Sequence, residues 1–517
     1  MGFLSLSNSK DQWNREIPLT APGGPLDRGS TLREVAALFS DGRLLVSKSY
    51  VNSPQILSLI NEAKLEGYDD PEIIPVDMSD VTEAYEEASE SQGMSRRDDA
   101  RMRREVLELV DKMGRRDASD IHVIVGDTSC IVRARIDGSM EQVAEWPPEY
   151  GHSFCAAAFA MADASDVNYQ PYEYQAARIS NRKDLKLPGN IIALRLQFNP
   201  IVYGGRAMIV RLLKADDNDG KQMEVEDLGF SPEQVEDFDL LRAKPFGINV
   251  VAGPTGHGKS TTLTVNIASI ISEYKKNIAF YTVEDPPEYP IDGAVQMPVT
   301  NASTQEERSE AFTKAIAACM RSNPDRLMIG EVRDAASASL AFEAAMTGHQ
   351  VWTTLHSNDA VTIPFRLRDL GVDDFKLTDH TLLTGLISQR LVRVLCPDCK
   401  RPVVDQSEIP FMMAARLDEA GVPLEVIRLR NPDGCSTCGE GNGYKSRTVV
   451  AEIIIPDEKF MRYVRDNDKS SAERYWLSHL GGRSMMEHAI DRIKNGTLDP
   501  FDAEKTMGPI VKPQRDQ

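Results

Sequence analysis

The hydrophobic pattern divides the chain into stretches of different character. Apolar residues recur at helical spacing between Met102 and Met113, and short apolar runs typical of strands follow at 121–125, 131–136, 191–196 and 207–213. This mixture predicts a small α+β domain over residues 98–214. The stretch that follows is rich in Asp and Gly and predicts a linker over residues 215–228.

Beyond Gly229, strand-like runs alternate with helical patterns. Apolar runs typical of strands lie at 247–252, 277–283, 326–329 and 350–355. The alternation predicts an α/β domain over residues 229–517, with a parallel sheet covered by helices on both faces. Ligands of such sheets bind at the carboxyl ends of the strands. Polar residues follow three of these runs: Glu284-Asp285, Gly330-Glu331 and His356 to Asp359.

Residues 1–97 have weaker patterning. They end in an acidic, Ser-containing stretch from Tyr68 to Gln92, which is typical of a solvated linker or helix face. A small interaction domain within residues 30–65 fits the pattern. No motif in this region carries a specific chemistry.

Composition narrows the classes of function. The chain has 517 residues, 41% hydrophobic and 27% charged, as expected of a globular protein with several domains. Its net charge of −20 argues against nucleic acid as a broad partner, because such binding needs a basic surface. No apolar run reaches the ~20 residues that cross a bilayer, and the N-terminus lacks a signal-peptide pattern. We therefore expect a cytoplasmic protein without a transmembrane segment.

The strongest motif is a phosphate-loop pattern, G-x-x-x-x-G-K-[ST], at residues 253–260 between a predicted strand and a predicted helix. Its glycines let the backbone approach an anion, and the helix presents its positive end to the same charge. Lys259 would reach the β- and γ-phosphates of ATP, and the Ser260 hydroxyl would hold Mg²⁺. The alternative is an ordinary glycine-rich turn. The predicted nucleotide contacts are Gly253, Pro254, Thr255, Gly256, His257, Gly258, Lys259, Ser260, Thr261 and Thr262.

Glu331 follows the apolar run 327–329 and is the predicted catalytic carboxylate. At the carboxyl end of its strand it would orient or deprotonate the attacking water. Gly330 stands where phosphate-loop proteins commonly carry an aspartate, so Mg²⁺ would rely on Ser260, the phosphates and water. A helix-capping role for Glu331 is the alternative.

Carboxylates and histidines also flank the neighbouring strands. Glu284, Asp285 and Glu288 lie just after one strand. Because like charges repel, we expect them to bind Mg²⁺ through water or to pair with arginines. His356, at the end of the next strand, is the better candidate for a γ-phosphate sensor, whereas a packed position is equally open for His349.

Four of the seven cysteines form two C-x-x-C pairs: Cys396, Cys399, Cys435 and Cys438. Four thiolates are enough for a closed, tetrahedral Zn²⁺ site of the structural type. The long spacing between the pairs places the metal at the base of a zinc-binding insertion over residues 393–450. Unligated cysteines or a redox pair are the alternatives.

These motifs, in this order, resemble those of the secretion ATPases of type II secretion and type IV pilus assembly, the GspE and PilB-like class. The resemblance covers about residues 101–508. A conjugative-plasmid thin-pilus branch, type IVB and PilQ-like, fits the overall size. The matching stretches are 118–122 (ASDIH), 133–138 (RARIDG), 253–262 (GPTGHGKSTT), 283–288 (VEDPPE), 328–334 (MIGEVRD), 347–360 (TGHQVWTTLHSNDA) and 389–399 (QRLVRVLCPDC).

The resemblance implies a RecA-like ATPase domain after a PAS-like α+β domain. Arginines of the PAS-like domain reach over the nucleotide in that family; Arg195, Arg206 and Arg211 lie in the matching strands, and Arg195 and Arg211 are the predicted catalytic pair. The family's acidic motif, the Asp box, corresponds to Glu284, Asp285 and Glu288, and Glu284 is a predicted catalytic residue. Its histidine motif, the His box, corresponds to residues 349–356 and ends at His356. ATP, Mg²⁺ and Zn²⁺ are the implied cofactors.

The implied assembly is a cytoplasmic homohexamer, peripheral to the inner membrane, docked on a polytopic platform protein. The cysteine pairs are typical of members that assemble filaments and favour extension of a pilus or pseudopilus over retraction. A nucleic-acid motor and a nucleotide-gated structural ring are alternatives from other classes. Two departures from the family are His257, where serine is usual, and Ala317, where a second arginine is often found.

Overall fold

The structure, a computed structural model, describes residues 18–513 and Arg515, except for 22–24, 27–29, 52, 69–70, 164–168, 170–172, 203–204, 215–222, 300–304 and 441. These residues form two compact units. The first holds the described residues up to Leu212 apart from 137–139, and the second holds 137–139 and the residues from Leu213 onward.

The first unit begins with a small sheet of three described strands, in the order β1-β2-β3. Strands β1 and β2 are antiparallel, and β2 and β3 are parallel. Helix α2 packs its buried residues Ile56, Leu59 and Ala63 into the core of this sheet. The elements are α1 (Ser30–Arg33), β1 (Ala36–Leu38), β2 (Arg43–Ser47), α2 (Pro54–Leu65) and β3 (Glu72–Val76).

Helix α3 (Met78–Arg115) crosses the predicted boundary between residues 97 and 98. The acidic stretch before that boundary therefore contributes to β3 and the first turns of α3, which agrees with the predicted helix face and not with a linker. Val81 is buried and packs beside Ala84 and Tyr85 in the small core shared with the sheet. These apolar residues recur at helical spacing within the acidic composition.

The first unit continues with an antiparallel sheet whose described strands have the order β6-β5-β4-β9-β8-β7. Burial alternates along β4 and β5, and α3 and α4 contribute to the shared core. This is an α+β arrangement, and its PAS-like character stays a prediction. The elements are β4 (Ala118–Val125), β5 (Cys130–Ile136), β6 (Ser139–Trp146), α4 (Pro148–Ala160), β7 (Gln175–Ser180), β8 (Ile191–Pro200) and β9 (Arg206–Lys214).

Of the predicted linker, residues 215–222 lie outside the described residues, and Val225–Leu228 forms a turn of 3-10 helix. The second unit then forms an α/β fold around a sheet whose described strands have the order β12-β11-β13-β14-β10-β15-β20. Its strands are β10 (Gly247–Ala252), β11 (Phe280–Glu284), β12 (Ala294–Pro298), β13 (Arg326–Ile329), β14 (Gln350–Leu355), β15 (Leu383–Leu395) and β20 (Tyr444–Ile454).

Pairing is parallel from β12 to β15, and β20 runs antiparallel to β15. Every residue of β10, β13 and β14 is buried, as expected of strands covered on both faces. The helices are α5 (Pro232–Ala243), α6 (Lys259–Glu273), α7 (Gln305–Met320), α8 (Ala335–Met346), α9 (Thr362–Asp369), α10 (Asp374–Leu377), α11 (Phe411–Glu419), α12 (Glu458–Arg465), α13 (Lys469–His479), α14 (Met485–Lys494) and α15 (Pro500–Met507).

The predicted zinc-binding insertion leaves and rejoins the sheet at paired positions. Strands β15 and β20 pair from Leu386↔Ile454 to Leu395↔Tyr444, and the chain between Leu395 and Tyr444 forms an excursion. Its buried residues, Met413 and Leu417 among them, share a core with α14 and α15. This excursion contains α11 and four two-residue strands: β16 (Arg401–Pro402), β17 (Arg428–Leu429), β18 (Gly434–Cys435) and β19 (Gly439–Glu440). Among the helices that the structure describes, none combines the length and apolarity that a membrane crossing requires.

Candidate nucleotide site and cysteine cluster

The phosphate-loop motif joins the carboxyl end of β10 to the first turn of α6, as the pattern predicts. Gly253, Gly256 and Gly258 all have positive φ, at 148°, 79° and 77°. A Cβ atom on Gly253 would lie 2.4 Å from the carbonyl oxygen of Gln389. The loop conformation therefore requires glycine both for its dihedral angles and for the close approach of β15.

Lys259 is the first residue of α6, and its ammonium group folds back over the loop. Its Nζ donates hydrogen bonds to the carbonyl oxygens of Gly253 at 2.7 Å and Pro254 at 3.1 Å. Burial lowers the pKa of Lys259, while the carboxylates of Glu331 and Glu288 oppose that shift. The loop thus holds a cation at a helix N-terminus, an arrangement suited to a phosphate group.

The side chains along the start of α6 differ in exposure. Ser260 is exposed, so its hydroxyl oxygen is available to a hard cation such as Mg²⁺, which prefers oxygen ligands. Thr262 is buried, and its backbone N–H donates to the carbonyl oxygen of Gly258. Helical periodicity turns the Thr262 side chain into the core, and its contact with a nucleotide stays a prediction.

Strand β15 holds the phosphate loop through His257. The backbone N–H of Leu391 donates to His257 Nδ1 at 3.0 Å, and Gln389 Nε2 donates to the carbonyl oxygen of His257 at 2.8 Å. The motif assigns His257 only a backbone role, so no pattern predicted the contact of its ring. Gln389 lies within the quoted 389–399 stretch, yet its link to the loop was also not predicted.

Glu331 lies just beyond β13 and is held by two side chains. Arg333 Nε donates to Glu331 Oε2 at 2.7 Å, and His356 Nε2 lies 3.1 Å from Glu331 Oε1. Arg333 Nη1 also contacts Asp285 Oδ2 at 3.3 Å. The loops after β11, β13 and β14 therefore meet at Glu331, which agrees with the predicted convergence of the strand ends.

Arg333 is the residue of this cluster that the sequence analysis did not single out. It lies in the quoted 328–334 stretch, and the prediction that the acidic residues pair with arginines was the available signal. Gly330, in place of an aspartate, has a steric reason. A Cβ atom at Gly330 would lie 3.1 Å from the carbonyl oxygen of Val283 and 3.6 Å from Glu284 Cγ.

Glu284 is fixed at the end of β11 by neighbouring polar groups. Its Oε1 accepts hydrogen bonds from Thr282 Oγ1 at 2.6 Å and from Gln296 Nε2 at 2.9 Å. Burial raises the pKa of Glu284, and these two hydrogen bonds oppose the shift. Glu284 thus lies beside the Glu331 cluster, with one oxygen committed to its own sheet edge.

His349 lies away from this cluster, at the start of β14. Its Nδ1 lies 3.1 Å from the carbonyl oxygen of Ala344, and its own carbonyl accepts from the N–H of Gly247 at the start of β10. Because β10 and β14 are parallel, these contacts lie at the sheet edge opposite the phosphate loop. Of the two open roles, the packed position is the one that the structure gives His349.

The arginines predicted to act over the nucleotide belong to the first unit. Arg211 Nε donates to Asp120 Oδ1 at 3.0 Å across the β4–β9 pair, and Arg195 lies opposite Arg178 in the β7–β8 register. Arg206 is buried, with its guanidinium 4.9 Å from the ring centroid of Tyr169. Arg206 is therefore structural, whereas catalytic roles for Arg195 and Arg211 stay predictions.

The four predicted metal ligands come together at the base of the excursion. Sulfur–sulfur distances are 3.7 Å for Cys396–Cys435, 3.7 Å for Cys399–Cys438 and 3.8 Å for Cys435–Cys438. A tetrahedron with Zn–S bonds of about 2.3 Å has sulfur–sulfur edges of about 3.8 Å. The donor set and its dimensions therefore fit Zn²⁺.

The same cluster favours at least one thiolate. Backbone N–H groups of Cys438 and Thr437 lower the pKa of Cys435 to about 6. Among the described residues, this is the group of His, Cys, Asp and Glu side chains whose ligand atoms converge closely enough for a metal. This convergence favours the predicted metal site over unligated cysteines or a redox pair.

Comparison with known proteins identifies the family of this chain. The family model described as "Type II/IV secretion system protein" matches residues 95–504. The chain belongs to this family. Type II secretion system protein E of Aeromonas hydrophila is 32% identical over 402 residues, which cover 77% of this chain and 74% of that protein.

A second relative is the type IV pilus assembly ATPase PilB of Thermus thermophilus, 32% identical over 400 residues. The matched region covers 77% of this chain but 42% of the Thermus protein. Among solved structures, the ATPase DotB of Legionella pneumophila has a TM-score of 0.51 at 18% identity, covering 76% of this chain and 92% of that one. This likeness supports a shared α/β ATPase fold.

Proposed function

We propose that this family member hydrolyses ATP and powers the assembly of a type IV pilus or a type II secretion pseudopilus. The observation that carries the proposal is the pairing of a complete phosphate loop, with Lys259 folded over it, and a carboxylate, Glu331, at the same edge of the sheet. The relatives named as secretion and pilus assembly ATPases support the same activity.

In this proposal the chain's residues act on a bound ATP. Lys259 and the backbone N–H groups of the loop neutralise the phosphates, and Glu331 orients the attacking water and accepts its proton. The water oxygen forms a bond to the γ-phosphorus as the bond to the bridging oxygen of ADP breaks. His356, in contact with Glu331 Oε1, is placed to sense the γ-phosphate.

Two metals belong to the proposal. The Ser260 hydroxyl would hold Mg²⁺, with Glu284 as a predicted water-mediated partner, and the bound ion would neutralise phosphate charge. Zn²⁺ held by Cys396, Cys399, Cys435 and Cys438 closes the base of the excursion, with every ligand position filled by protein. A filled coordination sphere gives this second metal a structural role and no catalytic one.

The proposed working form is a homohexamer at the cytoplasmic face of the inner membrane, docked on a polytopic platform protein. Family membership supports this assembly. Arg195 and Arg211 of the first unit would complete the site by stabilising charge on the transferred phosphoryl group, as arginine fingers do.

The cysteine cluster favours assembly over retraction. Deleting the gene separates these directions, because loss of an assembly motor removes surface filaments and loss of a retraction motor increases them.

The direct test is steady-state ATP hydrolysis by the purified full-length chain, with its molar mass in solution measured in parallel. Lys259→Ala and Glu331→Gln are the matched variants. We expect both to lose turnover, and Glu331→Gln to keep ATP binding because its side chain is isosteric. If the hexameric unaltered chain hydrolyses ATP no faster than Glu331→Gln, the proposed motor function is wrong for this chain.

A further inference from the structure

Strand β15 extends beyond the strand to which it is paired. The parallel β10–β15 ladder ends at the pair Ala252↔Ser388, where β10 gives way to the phosphate loop, whereas β15 continues to Leu395. Beyond Ser388, the edge of β15 that had faced β10 needs new hydrogen-bond partners, because unpaired backbone groups inside a protein are costly.

His257 provides one such partner from the phosphate loop, together with a contact to a side chain of β15. Its ring Nδ1 accepts the Leu391 N–H at 3.0 Å, and its carbonyl oxygen accepts Gln389 Nε2 at 2.8 Å. Gln389 is buried, so this second contact is shielded from water. One loop residue thus replaces the strand neighbour at the backbone of Leu391 and is held a second time by the side chain of Gln389.

The chemistry of the ring contact is unambiguous. A backbone N–H can only donate, so Nδ1 must carry a lone pair, and the proton of the neutral ring is on Nε2. Burial lowers the pKa of His257, and the charges of Arg390 on β15, Lys259 on α6 and Arg447 on β20 add to that shift. The ring is therefore neutral at pH 7, as the hydrogen bond requires.

We propose that His257 is a positioning residue that fixes the phosphate loop against β15 through its Nδ1, so that the loop is ordered before nucleotide binds. The proposal rests on the proposed ATP-binding function of the loop. Ordering a loop in advance removes part of the entropic cost of binding, so the effect falls on affinity for ATP. His257 does not touch the reacting atoms, and we expect little effect on the chemical step.

A set of substitutions separates the ring nitrogen from the rest of the side chain. His257→Asn places an amide oxygen close to the position of Nδ1, whereas His257→Gln places its polar atoms farther out and His257→Ala removes the acceptor. The matched control is His380→Ala, which removes an exposed histidine of the same unit. All variants are made in the full-length chain.

The first readout is the equilibrium affinity for ATP in parallel with kcat. We expect His257→Ala and His257→Gln to weaken ATP binding about fivefold, the effect of losing one net hydrogen bond, with kcat changed about twofold or less. His257→Asn should recover most of the affinity, and His380→Ala should match the unaltered chain. Equal ATP affinity in His257→Ala and the unaltered chain would overturn the proposal, as would equal loss in the Asn and Gln variants.

The second readout is amide hydrogen exchange without nucleotide, in peptides that contain Leu391 and in peptides that contain the phosphate loop. Both should exchange faster in His257→Ala than in His257→Asn if the ring bond holds the loop. If exchange were unchanged in His257→Ala, His257 would not fix the loop against β15, even if ATP binding were weakened. Because this measurement needs no nucleotide, it tests whether His257 fixes the loop even if the chain fails to bind ATP and the proposed function is wrong.

Discussion

His356 Nε2 lies 3.1 Å from Glu331 Oε1, so the predicted γ-phosphate sensor and the predicted catalytic carboxylate are in direct contact. The two residues follow different strands, β14 and β13, which are neighbours in the sheet. If loss of the γ-phosphate moves His356, Glu331 will therefore be affected directly, with no other residue between them.

Replacing His356 with Ala should lower kcat for ATP hydrolysis by about tenfold or more, because Glu331 loses a partner that fixes its orientation toward water. ATP affinity should change much less than kcat, since Lys259 and the phosphate loop remain. Steady-state kinetics combined with equilibrium nucleotide binding measures both effects. His349→Ala is the matched control, because His349 lies at the opposite edge of the sheet, and its kcat should stay near that of the unaltered chain.

Arg333 should matter for turnover through its bond to Glu331. Arg333→Ala removes the 2.7 Å contact to Glu331 and the contact to Asp285, so we expect kcat to fall about tenfold. Arg333→Lys keeps the charge but loses the planar fork, and should recover only part of the rate. Full recovery with Lys would mean that charge alone matters and that the two-point geometry does not.

The cysteine cluster should bind one Zn²⁺ per chain, measured by elemental analysis of the purified protein. Cys435→Ala should lose the metal and make the excursion more susceptible to limited proteolysis, because the cluster joins its two ends. Cys319→Ala is the control, since Cys319 is buried elsewhere in the same unit and belongs to no such cluster among the described residues. Full metal content in Cys435→Ala would rule out a four-thiolate site.

Glu452 on β20 predicts a pH-dependent stability. Its two oxygens accept from the N–H groups of Ala360, at 3.0 Å, and Met485, at 3.2 Å, yet burial raises its pKa to about 7. Between its ordinary pKa, about 4.5, and about 7, the unfolded chain has released this proton while the folded chain retains it. The contribution of Glu452 to folding is thus full below about pH 4.5 and is lost as pH rises to about 7.

Urea unfolding of the second unit measures this effect. The free energy of unfolding of the unaltered chain, relative to that of Glu452→Gln, should fall between about pH 4.5 and about pH 7. The fall should be at most about 3 kcal/mol. Glutamine does not titrate, but its amide nitrogen would face one of the two N–H donors, so this variant should be less stable than the unaltered chain at low pH. A constant difference across the pH range would contradict the prediction.

The parts of the fold that were predicted from sequence depend on local patterns. The phosphate loop is contiguous in sequence, and Glu331 and His356 each follow an apolar run, so the rule for strand ends placed them together. The two C-x-x-C pairs predicted the ligand set because each pair is also contiguous in sequence. Each of these signals lies within a few residues along the chain.

The contacts that were not predicted join distant parts of the chain. The His257–Leu391 bond spans 134 residues, and no periodicity or motif encodes which strand edge a histidine will meet. Near the N-terminus, the apolar positions of α3 are few and lie within an acidic stretch, so composition did not decide between a linker and a helix face. Arg333 was missed because a charged residue in a loop carries no pattern of its own.

The pairing of β15 with β20 up to Leu395↔Tyr444 has a consequence for protein engineering. The excursion begins and ends on adjacent strands, so it is a cassette whose two splice points are already next to each other. A short hairpin turn in its place would keep the register of β15 and β20 but would uncover Ile490 and Ile493 of α14 and Ala503 of α15, which share a core with the excursion. An engineered replacement therefore has to supply new apolar cover for these two helices.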